Sequence, residues 1–214
     1  MSQRHRNRSP LRGAAPVVLA TLPLLLLWPT LRHTIEARML LHMLVEFPLL
    51  LAAGWATQRL SLHHPAMQRL AHRLVLIDWH GWSGATWASL VTAAWMVPTL
   101  LDLTLLEPWL AAAKYASWWI TGWVLAGSLR RMDPELLLFL AGNIAWMMAS
   151  AGMLYIDAPA RLCVNYLQDD QRQTGIGLVV LALGLGIVAL RQLLRSASMP
   201  SADDTADPAV SAMP

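Results

Sequence analysis

Four residues of the second apolar segment combine soft and acidic side chains that could do chemistry. Met39, His42, Met43 and Glu46 follow one another at i, i+3, i+4 and i+7, which puts them on one face of a helix. A histidine and a carboxylate are costly in an apolar segment and need an interior or functional explanation. Two thioethers beside an imidazole form a ligand set that suits Cu(I). The pattern is open to two interpretations: a soft-metal site, or packing methionines with one hydrogen-bonded histidine.

The composition is that of an integral membrane protein. The 214 residues are 56% hydrophobic and only 14% charged, whereas a soluble domain has about 25% charged residues. The net charge of +3 comes mainly from arginines beside the apolar segments. We interpret these arginines as residues that orient the chain in a lipid bilayer and not as a nucleic-acid surface.

The single cysteine, Cys163, rules out an intrachain disulfide. The sequence has no HExxH, GxSxG or phosphate-loop motif, so we do not predict an enzyme.

Hydropathy predicts an all-α fold, a polytopic membrane bundle of about six transmembrane helices. A basic tail (1–13) and a Ser-, Ala-, Asp- and Pro-rich tail (196–214) flank the membrane domain (14–195), and both tails are expected to be disordered. The first span could instead be a cleaved signal segment, but no small-residue cleavage site follows it, so we favour an uncleaved helix. The predicted spans are 16–32, 38–57, 84–106, 110–129, 135–156 and 175–194.

The loop between the second and third spans contains four histidines. A cytoplasmic metal-capture loop is one interpretation; a solvated or interfacial basic segment is favoured because arginines intervene. The four are His63, His64, His72 and His80.

The distribution of Lys and Arg predicts both termini in the cytoplasm of a plasma (inner) membrane protein. With six spans, eleven basic residues lie on the inner side and five on the outer side. The inner residues are Arg4, Arg6, Arg8, Arg12, Arg59, Arg69, Arg73, Arg130, Arg131, Arg191 and Arg195, and the outer ones are Arg32, Arg38, Lys114, Arg161 and Arg172.

In this orientation, polar residues from several helices converge on the outer leaflet. Glu46, Asp102, Lys114 and Asp170 all lie near the outer ends of their spans. Glu46 and Asp102 could form a proton or metal carboxylate pair. We favour structural ion pairs with Arg38 or Lys114, because a membrane carboxylate more often pairs with a nearby cation.

Four short motifs follow one another between about residues 33 and 190. They are Arg38-Met39 and His42-Met43 followed by Phe47-Pro48, then Trp95-Met96-Val97-Pro98, then Lys114 and Trp118, and finally Asp170-Gln171-Arg172 before Gly175. The series resembles that of the CtaG-type cytochrome c oxidase assembly proteins, a family of multi-span membrane proteins, with Lys114 and Trp118 in place of a histidine pair.

The resemblance implies help in copper insertion or in assembly of a respiratory haem-copper oxidase, with that oxidase or its assembly factors as partners. Cu(I) would be held by His42, Met43, Met39 and Met96, while Glu46, Asp102, Lys114 and Asp170 would supply charge. Of the histidines in the family pattern, this chain retains only His42. The alternative is a scaffold or accessory subunit that keeps the fold without binding copper. A small transporter is disfavoured, because Asn143 is nearly the only strongly polar residue deep in a span.

Overall fold

The computed structural model describes residues 10–61, 65–66, 68–69, 73, 78–163 and 165–197. These residues form eight α-helices with short 3₁₀ turns and no strand, which confirms the all-α prediction. The histidines 63, 64 and 72, the first nine residues and the tail from residue 198 lie outside the described residues. The helices are α1 (Pro10–Thr21), α2 (Pro29–Glu36), α3 (Met39–Ser61), α4 (Trp82–Trp95), α5 (Pro98–Leu106), α6 (Pro108–Ser128), α7 (Pro134–Asp157) and α8 (Gln168–Ala197).

Within the described residues, three to five segments are long and apolar enough to span a membrane. The single helices are Met39–Ser61, Pro134–Asp157 and Gln168–Arg195. Two bent pairs complete the set: Pro16–Leu26 with Thr30–Glu36, bent by 90°, and Trp79–Trp95 with Pro98–Leu106, bent by 75°. The predicted fourth span corresponds to α6, a helix of 21 residues that is not among these candidates. The candidate spans are apolar helices of the kind found in a membrane protein, and their surfaces are suited to lipid contact.

Prolines divide segments that hydropathy alone presents as continuous. The predicted span 84–106 is two helices, because Val97 is extended (φ −77°, ψ 120°) and Pro98 opens α5. A residue before proline is disfavoured in the α region, so a helix tends to end there. Trp28 and Pro29 repeat this arrangement at the start of α2.

Pro48 has a milder effect inside α3. Residues Met39–Leu41 are α-helical, His42–Glu46 form a π-helical turn, and Phe47–Ser61 continue as α-helix. Pro48 has no N–H to donate to the preceding turn, and a π turn is one way for a helix to absorb such a lost bond without ending. The π turn thus precedes Pro48 in a span that stays continuous.

Two glycines bring the backbones of α3 and α6 into direct contact. A Cβ at Gly54 would lie 1.9 Å from the carbonyl oxygen of Trp119, and a Cβ at Gly122 would lie 1.9 Å from that of Leu51. Since no side chain fits between them, α3 and α6 are held at a short distance along this line. The same contact brings the polar residues of both helices together at one end of the bundle.

Two of the four glycines of α8 lie close against neighbouring helices. A Cβ at Gly175 would meet the carbonyl oxygen of Gly152 on α7 at 2.5 Å, and one at Gly177 would meet Leu44 at 2.3 Å. Gly184 and Gly186 face open space instead.

Asp78 ties the start of α4 to the end of α6. Its carboxylate accepts hydrogen bonds from Ser128 Oγ (2.7 Å) and from the Gly84 N–H (3.4 Å), and it pairs with Arg131. Burial opposes ionisation, but these hydrogen bonds outweigh it and hold the pKa of Asp78 below its usual value.

The glycine contact gives a direct test of the packing. We expect Gly122→Val to lower the free energy of unfolding by about 1–3 kcal/mol or more, since the new side chain must push α3 away from α6. Gly142→Val on α7 is the matched control, because no described residue lies within 4 Å of a Cβ at that position, and we expect a change within about 0.5 kcal/mol. Denaturant unfolding in detergent measures both; equal effects would contradict the contact.

Candidate functional site

The candidate site is built around the ammonium group of Lys114. Its Nζ lies 3.0 Å from Glu36 Oε1, 2.8 Å from His42 Nε2 and 2.8 Å from Glu46 Oε1. Lys114, His42 and Glu46 are 0% exposed and Glu36 is 4% exposed. Charges this deeply buried are tolerated only when they are paired, and here one cation is shared by two carboxylates. We call these four residues the Lys114 cluster.

Three helices supply the members of the Lys114 cluster. His42 and Glu46 are the first and last residues of the π turn in α3, Lys114 is on α6 and Glu36 is the last residue of α2. Met39, His42, Met43 and Glu46, which the sequence places on one helix face, are all buried.

Glu36 is anchored by more donors than Lys114 alone. Arg32 Nε donates to Oε2 at 2.9 Å, and the Tyr115 hydroxyl donates to Oε1 at 2.6 Å. The Arg32 guanidinium also lies 5.6 Å from the centre of the Tyr115 ring, a cation–π arrangement. With Arg32 included, two positive charges balance two negative ones.

The contacts of His42 fix its protonation state. An ammonium has no acceptor capacity, so Nε2 must be the unprotonated nitrogen that accepts from Lys114. Nδ1 then carries the proton and donates to the Tyr166 hydroxyl, 2.7 Å away. His42 is therefore neutral, and both of its nitrogens are engaged.

Glu46 is the least satisfied member of the Lys114 cluster. Its Oε1 is close to Lys114 Nζ but at an angle outside hydrogen-bond geometry, and Oε2 has no hydrogen-bond partner among the described residues. Its charge is thus compensated chiefly by the ion pair. Of the two cations predicted as partners for Glu46, Lys114 is the one observed, whereas Arg38 is exposed.

Asp170 and Gln171 do not belong to the Lys114 cluster but stabilise the backbone around it through hydrogen bonds. The Met39 N–H donates to the Asp170 carboxylate, so Asp170 caps the start of α3, where unpaired N–H groups favour an anion. Gln171 accepts from the Leu162 N–H at 2.9 Å and donates to the Tyr155 carbonyl at 3.2 Å. The predicted supporting charge at Asp170 acts as a helix cap.

The remaining predicted site residues are not members of the Lys114 cluster and lie in or around the hydrophobic core. Met39 and Met43 are buried in the hydrophobic core, and Met96 packs against the same core from the break between α4 and α5. Asp102 is partly exposed and accepts a hydrogen bond from Asn165 Nδ2 at 3.3 Å.

The ligand atoms of Glu36, His42 and Glu46 lie within 4.8 Å of one another, close enough to hold a metal ion. Lys114 Nζ, however, contacts all three groups and supplies the positive charge that an ion would bring. A metal would also have to displace Lys114 or Tyr166 to reach a His42 nitrogen. The residues present therefore do not fit a bound copper ion while Lys114 keeps this position.

The sequence analysis missed three residues that belong to or contact the Lys114 cluster: Glu36, Tyr115 and Tyr166. A signal for Glu36 was present, since it is the first acidic residue of the chain and follows Arg32 by four positions. Tyr166 lies in the irregular segment before α8, where no periodicity indicates which way a side chain points.

Removing the Lys114 ammonium should lower the stability of the folded protein. We expect Lys114→Met to lower the free energy of unfolding by about 3–5 kcal/mol, because it leaves two buried carboxylates without their cation. The double variant Lys114→Met/Glu46→Gln should recover part of that loss. Denaturant unfolding of wild type, both single variants and the double variant measures the coupling, and strictly additive effects would contradict the shared ion pair.

Cys163 should be unreactive in the folded protein. It is 0% exposed, its Sγ lies 3.9 Å from the Pro98 carbonyl oxygen, and burial, with a smaller effect of Asp102, raises the pKa of its thiol to about 12. At pH 8 we therefore expect no alkylation by a maleimide in mild detergent and full alkylation after denaturation, measured by mass spectrometry. Rapid labelling of the native protein would contradict this placement.

Comparisons of this chain with protein-family models, with curated proteins and with solved structures find no match.

Proposed function

We propose that this protein is a metal-free accessory or scaffold protein of the plasma membrane that supports a membrane complex through its helix faces. One observation carries the proposal: Lys114 Nζ lies within 3.0 Å of Glu36, His42 and Glu46, the group best suited to hold a cation. The chain thus provides its own cation.

The charge balance of the site supports this proposal. Arg32 and Lys114 offset Glu36 and Glu46, and His42 is neutral. A metal ion entering this group would place additional positive charge beside the Lys114 ammonium in a poorly solvated interior, where such repulsion is strong. The charges of the site therefore balance without an added ion.

We propose that the exposed sides of α7 and α8 form the surface that contacts the partner complex. Phe139, Trp146 and Leu183 are 62%, 74% and 63% exposed, and Gly142 and Gly184 face open space. Small residues on an exposed membrane helix allow a second helix to approach closely. The resemblance to CtaG-type proteins makes a haem-copper oxidase or its assembly factors the first complex to examine.

The positive-inside rule supports cytoplasmic termini for this proposal. With α6 counted as a span beside the five candidates, and with the buried Lys114 left out of the outer loop charges, eleven inner basic residues stand against four outer ones.

Copper handling is the second candidate, favoured by the spacing of Glu36, His42 and Glu46 and by the thioethers of Met39 and Met43 beside them. It requires Lys114 to leave its position, so that His42 gains a free nitrogen. It also requires Cu(I), because thioether and imidazole ligands select that ion.

Metal loading of the purified full-length chain distinguishes these candidates. We expect wild type and His42→Gln to retain the same trace of copper after incubation with Cu(I) and desalting, measured by elemental mass spectrometry. Lys114→His is the positive control; it replaces the ammonium with an imidazole and should gain Zn²⁺, which imidazole and carboxylate ligands bind.

The matching experiment in cells measures oxidase activity in membranes that contain equal amounts of wild type or His42→Gln. A scaffold predicts equal activity for both proteins. Stoichiometric copper in wild type that is lost in His42→Gln, together with lost oxidase activity, would refute the metal-free proposal and favour copper handling.

A further inference from the structure

Three adjoining cavities form one groove along α6. The first, of about 520 Å³, and the second, of about 290 Å³, share Arg32, His33 and Pro108. The second and a third, of about 300 Å³, share Leu26 and Tyr115. The groove therefore runs from the end of α2, beside the loop before α8, down the surface between α1 and α6.

The two ends of the groove differ in chemistry. The first cavity is lined by Arg32, His33, Glu36 and Asn165. Arg32 uses Nε for Glu36, and its two Nη groups make no hydrogen bond to any described residue. Both oxygens of Glu36 already accept from Arg32, Lys114 or Tyr115, so this carboxylate is compensated. The free donors at this end are cationic or imidazole N–H groups, the partners that a phosphate requires.

The other end of the groove is apolar. The third cavity is lined mainly by Leu24, Leu26, Leu50, Ala116 and Trp119, with Ala20 of α1 beside them. From Pro108 to Trp119 the groove follows α6 for about 16 Å, at 1.5 Å per residue. One leaflet of a bilayer has a hydrocarbon depth of about 15 Å, so the groove matches the reach of one acyl chain.

We propose that this groove binds one phospholipid. The phosphate is held by the Nη groups of Arg32 and by His33, and one acyl chain lies in the trough formed by Leu24, Leu26 and Ala116. An apolar ligand without a charged end would leave the donors of Arg32 unused, and a soluble anion would leave the trough empty. This site goes beyond the proposed function, because it does not depend on whether the Lys114 cluster holds a metal.

Binding is tested on the delipidated full-length protein in mild detergent by native mass spectrometry. The probes are phosphatidylglycerol, diacylglycerol with the same chains, and inorganic phosphate. We expect one phosphatidylglycerol per chain, bound about tenfold more tightly than diacylglycerol, since a charged hydrogen bond contributes about 1.5–3 kcal/mol.

Matched variants test each end of the groove. Ala116→Phe fills the trough and should weaken phosphatidylglycerol binding about tenfold, whereas Ala113→Phe, at an exposed position of α6 that lines none of the three cavities, should not. Arg32→Gln should remove the preference for phosphatidylglycerol over diacylglycerol. Arg161→Gln, an exposed arginine at the same end of the bundle, should keep it.

Three outcomes would overturn the proposal. These are equal binding of phosphatidylglycerol and diacylglycerol by wild type, equal effects of Ala116→Phe and Ala113→Phe, and binding of inorganic phosphate alone as tight as that of the lipid. Because the first and third comparisons use only wild-type protein, they decide the matter even if a variant does not fold.

Discussion

The fold depends on one buried ammonium. Moving a charge from water to a protein interior costs several kcal/mol, and the cost is recovered only with close partners and good geometry. Lys114 meets this requirement through Glu36, His42 and Glu46, which come from two different helices. Any arrangement of α2, α3 and α6 that separates these groups leaves an unpaired charge in an apolar environment. The Lys114 cluster therefore selects the relative placement of the three helices.

Several features elsewhere in the chain make this placement possible. Gly54 and Gly122 let α3 and α6 approach until their backbones touch. The π turn before Pro48 adjusts the direction of His42 and Glu46 without ending α3, and Asp170 caps the first residue of that helix. Arg32 links the interior to the surface, since one edge of its guanidinium binds Glu36 and the other faces the groove.

Local pattern predicted the helices and the buried face of α3, because a period of 3.6 residues does not depend on neighbouring elements. Pattern did not predict where the continuous apolar runs break. The break at Pro98 follows from local sterics, whereas the response to Pro48 is a π turn whose form depends on packing. Tyr166 was missed because a tertiary contact, and not sequence spacing, brings it to His42. The spacing of Glu36 from Arg32 indicates their ion pair, but only the fold brings Glu36 to Lys114. Lys114 was recognised as an ion-pair partner of Glu46, but its central position among three groups depends on the approach of α3 and α6.

A lysine at this position offers a physical way for a metal-site geometry to persist without a metal. An ammonium and a monovalent ion carry the same charge, and both can draw carboxylate and imidazole ligands together. The ammonium is covalently attached, so folding alone brings it to the site and no supply of ion is needed. It also accepts no electron pair, so it cannot do the ligand chemistry of a transition metal. A fold can therefore exist without the metal chemistry that its geometry suggests. The fold needs only compensated charge, whereas the chemistry needs a specific ion.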